Sequence, residues 1–356
     1  MRYEWIKELI KRFHPFTKNI TLKKVVNFCL IIFQHTITKN SFVIGYPIEL
    51  VVDPVDVCNL HCPLCPTGQG RKERSRGKMS FNNFKRIVDE LGTYLYRIDL
   101  HNWGEPLLND DIFYMIRYAH ERGIEVRVST NLNFLGANKV EKLVRSGLDE
   151  LIVSLDGASQ ETYQKYRVGG DFNKVIKGIK AIIEKKKELN KSTPFITWQF
   201  LVMRHNEHEI SNAKKMAKDL GVDRFDLAPI HCDMGRELFW NDETKVEKTK
   251  KWLPRNEKYN IYGKKQKGIT KTCNFLWVQS TINWNSSVSP CCAVYDEKYD
   301  FGNMFHSSSK NIWNNGKYRA SRRMVRRKRV NNSDMKTVCY YCIKNEAMFS
   351  TRKSAR

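Results

Sequence analysis

The sequence contains no apolar run long enough to cross a bilayer, which takes about 20 residues. Its most apolar stretch, VVNFCLIIF at 25–33, is shorter, follows a mixed polar segment and precedes no small-residue cleavage site. A spanning helix and a secretory signal are therefore not expected, and we predict a cytoplasmic protein with peripheral membrane association as an alternative. No segment repeats another, which excludes a repeat array.

Acidic residues are also scarce. The chain has 38 Asp and Glu and 62 Lys and Arg, which gives a formal net charge of +24. The positive charge is concentrated near the N-terminus and in KYRASRRMVRRKR at 317–329. Such patches attract nucleic acid, anionic lipid or phosphorylated substrates, and a solvated basic face is an equally weighted alternative. A hydrophobic content of 41% over 356 residues is enough for one large or two ordinary domains.

One amphipathic helix is predicted before residue 46, in TLKKVVNFCLIIF at 21–33, where Thr21 is placed to cap it. Its apolar residues recur at helical spacing, at Leu22, Val25, Val26, Cys29, Leu30 and Phe33. We expect this face to pack on the main domain, with Cys29 in the core. Contact with a membrane surface, favoured by the flanking lysines, is the alternative.

Short buried strands alternate with helices from residue 47 onward. The six predicted strands span 48–53, 97–103, 125–131, 150–156, 195–202 and 224–230. The predicted helices between them include 80–91, 111–123 and 172–189. This alternation predicts an α/β fold with a parallel sheet, open or curled into part of a barrel. The polar segments WGEP, STN and SLDG follow successive strands, at the rim where such folds carry their chemistry.

Three cysteines follow the first strand within eight residues, Cys58, Cys62 and Cys65 in DVCNLHCPLCPTG. Disulfides are the minor interpretation, since the cytosol keeps thiols reduced. The spacing indicates a metal site, either a zinc knuckle completed elsewhere or an iron–sulfur cluster with one ligand missing. A [4Fe–4S] cluster normally takes four thiolates, so three would leave one iron open.

This loop and the segments after the next three strands resemble the radical S-adenosylmethionine (SAM) superfamily. CNLHCPLC is similar to its cluster loop, with Leu64 where an aromatic is usual, and WGEP resembles its GGEP motif. The resemblance implies a partial (β/α)6 TIM-type barrel in which Cys58, Cys62 and Cys65 hold a [4Fe–4S] cluster and SAM binds the fourth iron. It implies SAM contacts from Trp103, Gly104, Glu105, Ser129, Asn131, Ser154, Asp156 and Arg167.

A second cysteine set lies in the C-terminal part, where WVQSTINWNSSVSP at 277–290 also predicts a hairpin. Its members are Cys273, Cys291, Cys339 and Cys342, with Cys292 as the alternative to Cys291. Taken alone, four cysteines are equally consistent with structural zinc. After a radical SAM core they resemble the SPASM or shorter twitch extension and imply one auxiliary [4Fe–4S] cluster, because a full extension has seven cysteines and this one has five.

These patterns divide the chain into five predicted parts. They are an N-terminal amphipathic helical segment at 1–46, a radical SAM core at 47–232, a linker at 233–272, an auxiliary cluster domain at 273–346 and a polar tail at 347–356.

The resemblance implies reductive cleavage of SAM to a 5′-deoxyadenosyl radical, which abstracts hydrogen from a C–H bond, and an electron donor such as flavodoxin or ferredoxin. A fully ligated auxiliary cluster is suited to accepting an electron, so the leading hypothesis is dehydrogenation of a small, sugar-like or lipid-linked anionic substrate. Peptide maturation by cross-linking or epimerisation is the alternative, and in epimerisation Cys232 is the candidate hydrogen-atom donor.

A non-catalytic zinc and nucleic-acid-binding protein is the remote alternative. It explains the positive charge but not the polar motifs at successive strand ends. The basic stretch also lacks the interleaved aromatics on which bases stack, so nucleic acid is not an expected partner.

Overall fold

A computed structural model of the protein describes residues 19–38, 40–231, 250–260 and 273–344. Cys232, most of the predicted linker and the predicted polar tail lie outside the described residues. Within these ranges, no helix has both the length and the apolar character that crossing a bilayer requires.

All six predicted strands form, and they pair in parallel. They are β1 Glu49–Val52, β2 Arg97–Asp99, β3 Glu125–Thr130, β4 Glu150–Ser154, β5 Phe195–Val202 and β6 Arg224–Pro229. Their order in the sheet is β6-β5-β4-β3-β2-β1, so each strand lies beside its neighbour in sequence. The sheet does not close on itself, and this confirms the predicted partial barrel.

Six of the eleven described helices begin at a side-chain cap. In chain order they are α1 Leu22–Phe33, α2 Phe81–Leu91, α3 Ile112–His120, α4 Ala137–Arg145, α5 Gln160–Tyr166, α6 Phe172–Glu188, α7 Ile210–Leu220, α8 Phe275–Val278, α9 Ser309–Trp313, α10 Gly316–Arg327 and α11 Val338–Lys344. The hydroxyl of Thr21 accepts from the backbone N–H of Lys24, and that of Ser80 accepts from Asn83. The cap at Thr21 was predicted, because a hydroxyl at this position satisfies a free N–H of the first turn.

The two faces of the sheet differ in polarity. Alternate residues of the strands, such as Leu50 and Ile98, are fully buried in the main hydrophobic core beneath the helices. The residues between them point to the other face, where charges pair across neighbouring strands. The guanidinium of Arg127 donates to both oxygens of Asp99 at 2.7 Å, and Arg97 pairs with Glu49 at 3.4 Å. The interior of the partial barrel is therefore lined by charged and polar side chains.

The C-terminal part extends the same sheet. Strand β7 (Gln279–Ile282) pairs in parallel with β1, so that Glu49 lies opposite Gln279. Strand β8 (Ser287–Ser289) pairs antiparallel with β7, which confirms the predicted hairpin, and β9 (Gly302–Asn303) follows β8. In the part of the chain that the structure describes, the result is one sheet of nine strands. The pairing of β7 with β1 was not predicted from the sequence.

Helix α1 packs on the main domain, but through the face opposite to the predicted one. Lys24 and Asn27 are 3% exposed and Ile31 is fully buried, whereas the predicted apolar residues Leu22 and Phe33 are 79% and 49% exposed. The ammonium of Lys24 donates to the carbonyl of Gly123 at 2.8 Å, which holds this orientation. The prediction of a packed apolar stripe is therefore wrong.

The prediction for Cys29 fails for the same reason. Cys29 lies on the apolar stripe of α1 and is exposed instead of belonging to the core.

Candidate active site and cluster loops

The three thiols of the first loop lie together beyond the carboxyl end of β1. Cys58, Cys62 and Cys65 contact one small apolar cluster that also contains Leu60 and Tyr166. The loop is tightly folded, since the N–H of Cys65 donates to the carbonyl of Cys62 at 3.1 Å. The short loop therefore presents all three thiols in one place.

Burial disfavours the thiolate form of these cysteines. It raises the pKa of Cys58 to about 12 and that of Cys62 to about 11. Arg167 acts in the opposite direction and lowers the pKa of Cys62, by its charge and by a hydrogen bond. Binding to iron ionises a coordinating thiol, because the positive metal favours the thiolate. Adjacent thiols beside a guanidinium are thus a donor set that fits an iron–sulfur cluster.

The WGEP loop is held against the cluster loop by backbone contacts. A Cβ at Gly104 would lie 1.8 Å from the carbonyl oxygen of Val55, so only glycine fits there. The N–H of Glu105 donates to the carbonyl of Val57 at 2.9 Å, one residue before Cys58. The motif therefore fixes the start of the cluster loop at the end of β2.

The carboxylate of Glu105 fastens this loop to the end of β3. It is 2% exposed and accepts from the hydroxyl of Thr130 at 2.6 Å and the N–H of Asn131 at 2.8 Å. It also accepts from the N–H of Leu107 at 3.1 Å. Burial raises the pKa of Glu105, whereas these three hydrogen bonds lower it. A contact to SAM was predicted for Glu105, and that contact stays a prediction.

Replacing Glu105 with glutamine is expected to weaken SAM binding by at least about tenfold. The glutamine amide keeps one acceptor oxygen but replaces the other with an NH2 group, so one of the N–H or hydroxyl donors around it loses its acceptor. A buried unsatisfied donor costs about 1–3 kcal/mol. Equilibrium binding of SAM to the reconstituted protein measures the loss. Glu141→Gln, which changes an exposed carboxylate in α4, is the matched control. Equal affinities in the two variants would show that the Glu105 contacts do not order the site.

Residues from three strand ends converge beside the thiols. The side-chain amide of Asn131, after β3, donates to Asn59 at 3.0 Å and lies 3.7 Å from the sulfur of Cys58. The hydroxyls of Ser129 and Ser154 are 3.3 Å apart at the ends of β3 and β4. Asn59 was not singled out from the sequence, although it follows the first cysteine directly. Asn131 thus borders the thiol of Cys58, and Ser129 and Ser154 lie together at the ends of the neighbouring strands.

Asp156 and Arg167 form an ion pair at the same rim. The Nε of Arg167 donates to Asp156 at 2.6 Å, and the second carboxylate oxygen accepts from the N–H of Leu201 at 2.8 Å. Asp156 is fully buried, whereas Arg167 is partly exposed. Asp156 therefore orients Arg167 towards the cysteines, since Arg167 also interacts with the thiol of Cys62.

The second cysteine set gathers on the C-terminal part of the chain. Cys273, Cys291 and Cys339 contact one hydrophobic core, and Cys291 interacts electrostatically with the other two and with Cys292. Burial raises the pKa of Cys339 to about 12. Cys342 lies three residues after Cys339 in α11, on the same side of the helix. Cys291 therefore lies beside Cys273 and Cys339, and the choice of Cys291 over Cys292 as the ligand stays a prediction.

No three histidine, cysteine, aspartate or glutamate side chains in the described ranges surround a single-ion position. The thiolates of a [4Fe–4S] cluster bind different irons and are correspondingly further apart.

Trp103 joins the two cysteine regions. It is 6% exposed, and its indole N–H donates to the carbonyl of Val294, two residues after Cys292, at 3.2 Å. Its ring meets that of Tyr295 edge to face, with 5.3 Å between centroids. The residue that replaces the usual glycine of the motif therefore ties the rim of the barrel to the second cysteine loop.

An aromatic residue from the predicted linker also reaches the rim. Trp252 and Leu253 pack against the apolar cluster of the cysteine loop, and Trp252 meets Tyr166 edge to face with 5.4 Å between centroids. The sequence offered one signal, an apolar pair inside a lysine-rich stretch. Residues 250–260 thus cover part of the site.

Comparison with known protein families explains this arrangement. A model of the radical SAM superfamily matches residues 52–223, and a model of the SPASM iron–sulfur cluster-binding domain matches residues 273–343. The chain belongs to the radical SAM superfamily and has a SPASM domain. Its cofactors are accordingly a SAM-binding [4Fe–4S] cluster, SAM and auxiliary iron–sulfur ligation in the C-terminal part.

The curated relatives of this radical SAM protein have several different activities. An AdoMet-dependent heme synthase from Methanosarcina barkeri is 31% identical over 166 residues, which is 46% of this chain and 45% of the relative. A probable GTP 3′,8-cyclase from Saccharolobus islandicus (strain M.14.25 / Kamchatka #1) is 28% identical over 190 residues, 52% of this chain and 58% of the relative. The chain thus spans about half the length of the curated relatives it matches.

A solved structure of a radical SAM protein shows the same fold over nearly the whole chain. Streptococcus suis SuiB bound to precursor peptide SuiA superimposes with a TM-score of 0.61 at 16% identity, covering 93% of this chain and 82% of SuiB. At this identity the likeness establishes the fold alone.

Proposed function

We propose that this radical SAM protein is an oxidoreductase that removes hydrogen from a C–H bond of a small, sugar-like or lipid-linked substrate, with the auxiliary cluster as electron acceptor. The observation that carries the proposal is the Trp103 bridge between the SAM-site loop and the loop of Cys291. Electron transfer needs proximity, and this bridge keeps the two cysteine regions in contact. The auxiliary set has four candidate thiolates, which leave no open iron for substrate.

The residues in the site have distinct proposed roles. Cys58, Cys62 and Cys65 would hold the first cluster, and the four C-terminal cysteines named above would hold the second. Asn131 and Arg167 border the first thiols and are placed to orient SAM, together with the loop that Glu105 fastens. When bound, the reduced cluster and SAM supply a 5′-deoxyadenosyl radical. Tyr166 and Trp252 cover the loop and would exclude water from it.

His101 is the proposed proton acceptor in this oxidation. Removing two hydrogens from an alcohol releases one as a proton, so a base is needed near the substrate. His101 follows β2 and interacts with the charges of Asp99 and Arg127 in the polar interior. Its Nδ1 is buried and has no hydrogen-bond partner among the described residues. Burial lowers the pKa of His101, so the ring is neutral at pH 7 and can accept a proton.

A search for the substrate class tests the proposal. The anaerobically reconstituted enzyme, with dithionite and SAM, is incubated with small polar molecules, lipids or peptides fractionated from cells. We expect 5′-deoxyadenosine to rise above its substrate-free amount with a small-molecule or lipid fraction. Mass spectrometry should then find a product that lacks two hydrogens.

Cys339→Ala is the matched variant for the auxiliary site, because it leaves the first loop intact. It should retain substrate-free cleavage of SAM and lose the product. A product of unchanged mass would instead indicate epimerisation. Absence of 5′-deoxyadenosine in every fraction would contradict radical chemistry.

Peptide maturation is the second candidate. It is favoured by the fold shared with SuiB, whose structure with precursor peptide SuiA aligns with 93% of this chain. The same experiment decides between the two. If the protein matures a peptide, only the peptide fraction should stimulate 5′-deoxyadenosine formation.

A further inference from the structure

The apolar stripe of α1 points away from the protein. Leu22 is 79% exposed, Val25 40%, Val26 48% and Phe33 49%. Residues spaced by three or four positions share one side of a helix, so these four and Cys29 form a continuous row. The buried side of α1 instead contains Lys24, Asn27 and Ile31. The exposed row is a contiguous apolar patch, and such patches mark interaction or membrane surfaces.

The orientation of α1 is fixed by partly buried hydrogen bonds. The amide of Asn27 accepts from the N–H of Tyr46 at 2.8 Å and donates to the carbonyl of Tyr46 at 3.0 Å. Together with the bond from Lys24 to Gly123, these contacts prevent rotation of the helix about its axis. The apolar stripe is therefore held outward by the fold.

The exposed apolar surface continues into the segment after the helix. Ile37 is 65% exposed, Phe42 40% and Ile44 57%. The N–H of Ile44 donates to the side chain of Gln34 at 2.7 Å, which folds this segment back onto the end of α1. We call these residues and the stripe of α1 the apolar surface. Its members are Leu22, Val25, Val26, Cys29, Phe33, Ile37, Phe42 and Ile44.

Arginines border the apolar surface. Arg326 of α10 donates to the carbonyl of Gln34 at 3.0 Å, and Arg322 donates to that of Ser41 at 3.1 Å. Arg319 and Arg323 are exposed. They lie seven and three residues before Arg326, a spacing that puts both on the side of α10 that carries Arg326. Cationic side chains therefore stand beside the exposed end of α1.

We propose that the apolar surface is a membrane anchor that lies in the interfacial layer of an anionic bilayer, with the exposed arginines of α10 at lipid phosphates. Apolar insertion and attraction of cations to anionic headgroups are the two contributions that bind interfacial helices. A second copy of the chain fits the surface less well, because pairing would bring two chains of net charge +24 together with their α10 helices near the contact.

Vesicle flotation tests the anchor. The reconstituted protein is mixed with vesicles of phosphatidylcholine alone or of phosphatidylcholine with phosphatidylglycerol. We expect binding to the anionic vesicles that weakens as salt is raised. The double variant Val26→Asp/Phe33→Asp should lose at least about tenfold in partitioning, since two apolar side chains no longer insert. Arg319→Gln and Arg323→Gln should each lower the partitioning onto anionic vesicles about fivefold, and the binding that remains should depend less on salt.

Matched controls separate the anchor from general charge effects. Tyr114→Asp adds a negative charge at another exposed aromatic residue, and Lys214→Gln removes an exposed cation from α7. Both should bind vesicles like the unchanged protein. Iron content and thermal unfolding of every variant check that the fold is intact, which we expect because the altered side chains are exposed.

Three outcomes would overturn the proposal. The first is that the unchanged protein binds both kinds of vesicle equally and the Val26→Asp/Phe33→Asp variant still binds them. The second is a protein that stays free of both vesicles although it is folded. The third is a dimer that the same double variant converts to a monomer, which would assign the apolar surface to self-association. None of these results bears on SAM cleavage, so the proposed activity is tested separately.

Discussion

Replacing Cys58, Cys62 and Cys65 together with alanine is expected to lower the iron content of the reconstituted protein from about eight to about four atoms per chain. It should also abolish the formation of 5′-deoxyadenosine. The physical reason is that all three thiols lie in one short loop, and the second cysteine set is a separate group in the C-terminal part. Iron and sulfide analysis, with chromatography of the nucleoside products, provides the measurement.

Cys29→Ala is the control for this experiment, since Cys29 is exposed on α1 and contributes to neither set. It should retain about eight irons and full SAM cleavage. Zinc in place of iron, or an iron content that the triple substitution leaves unchanged, would contradict the assignment of the first loop.

Replacing Arg74 with methionine is expected to lower the free energy of unfolding by about 3–5 kcal/mol, because one partner of a buried ion pair is left without the other. Arg74 is 1% exposed, pairs with Asp300 at 2.9 Å and donates to the carbonyl of Tyr295 at 2.7 Å. It thereby joins the segment after the first cysteine loop to the C-terminal part. Chemical denaturation followed by circular dichroism measures the loss.

Arg76→Met is the control, because Arg76 is exposed and its loss should change the free energy of unfolding by less than about 0.5 kcal/mol. The double variant Arg74→Met/Asp300→Leu should recover part of the loss, since it leaves no unpaired charge at that position. Strictly additive effects of the two substitutions would show that the pair does not act as a unit.

The barrel strands were predictable because each is a short β-rich run that repeats with helices between. Their carboxyl ends share one rim, and this places Cys58, Asn131 and Asp156 together without any further information. The partners of Glu105 were not predictable in the same way. A motif residue can contact a cofactor or the chain itself, and the sequence does not contain the distances that decide between them.

Helix α1 shows a second limit of sequence patterns. Periodicity identified the apolar side and its cap correctly, but it does not say whether that side meets the protein. The burial of Lys24 and Asn27 depends on hydrogen bonds to Gly123 and Tyr46, which lie 99 and 19 positions away in the chain. Arg74 was overlooked for a similar reason, because its partner Asp300 is more than 200 positions away.

The pairing of β1 with β7 has a consequence for biosynthesis. Glu49 and Gln279 lie side by side in the sheet although they are about 230 positions apart in the chain. While the ribosome makes the residues between them, one edge of β1 has no partner strand, and open strand edges invite pairing with other chains. Contacts of such long range also form slowly. We therefore expect the nascent protein to depend on chaperones until its last third emerges, and shortened forms that end before β7 to aggregate.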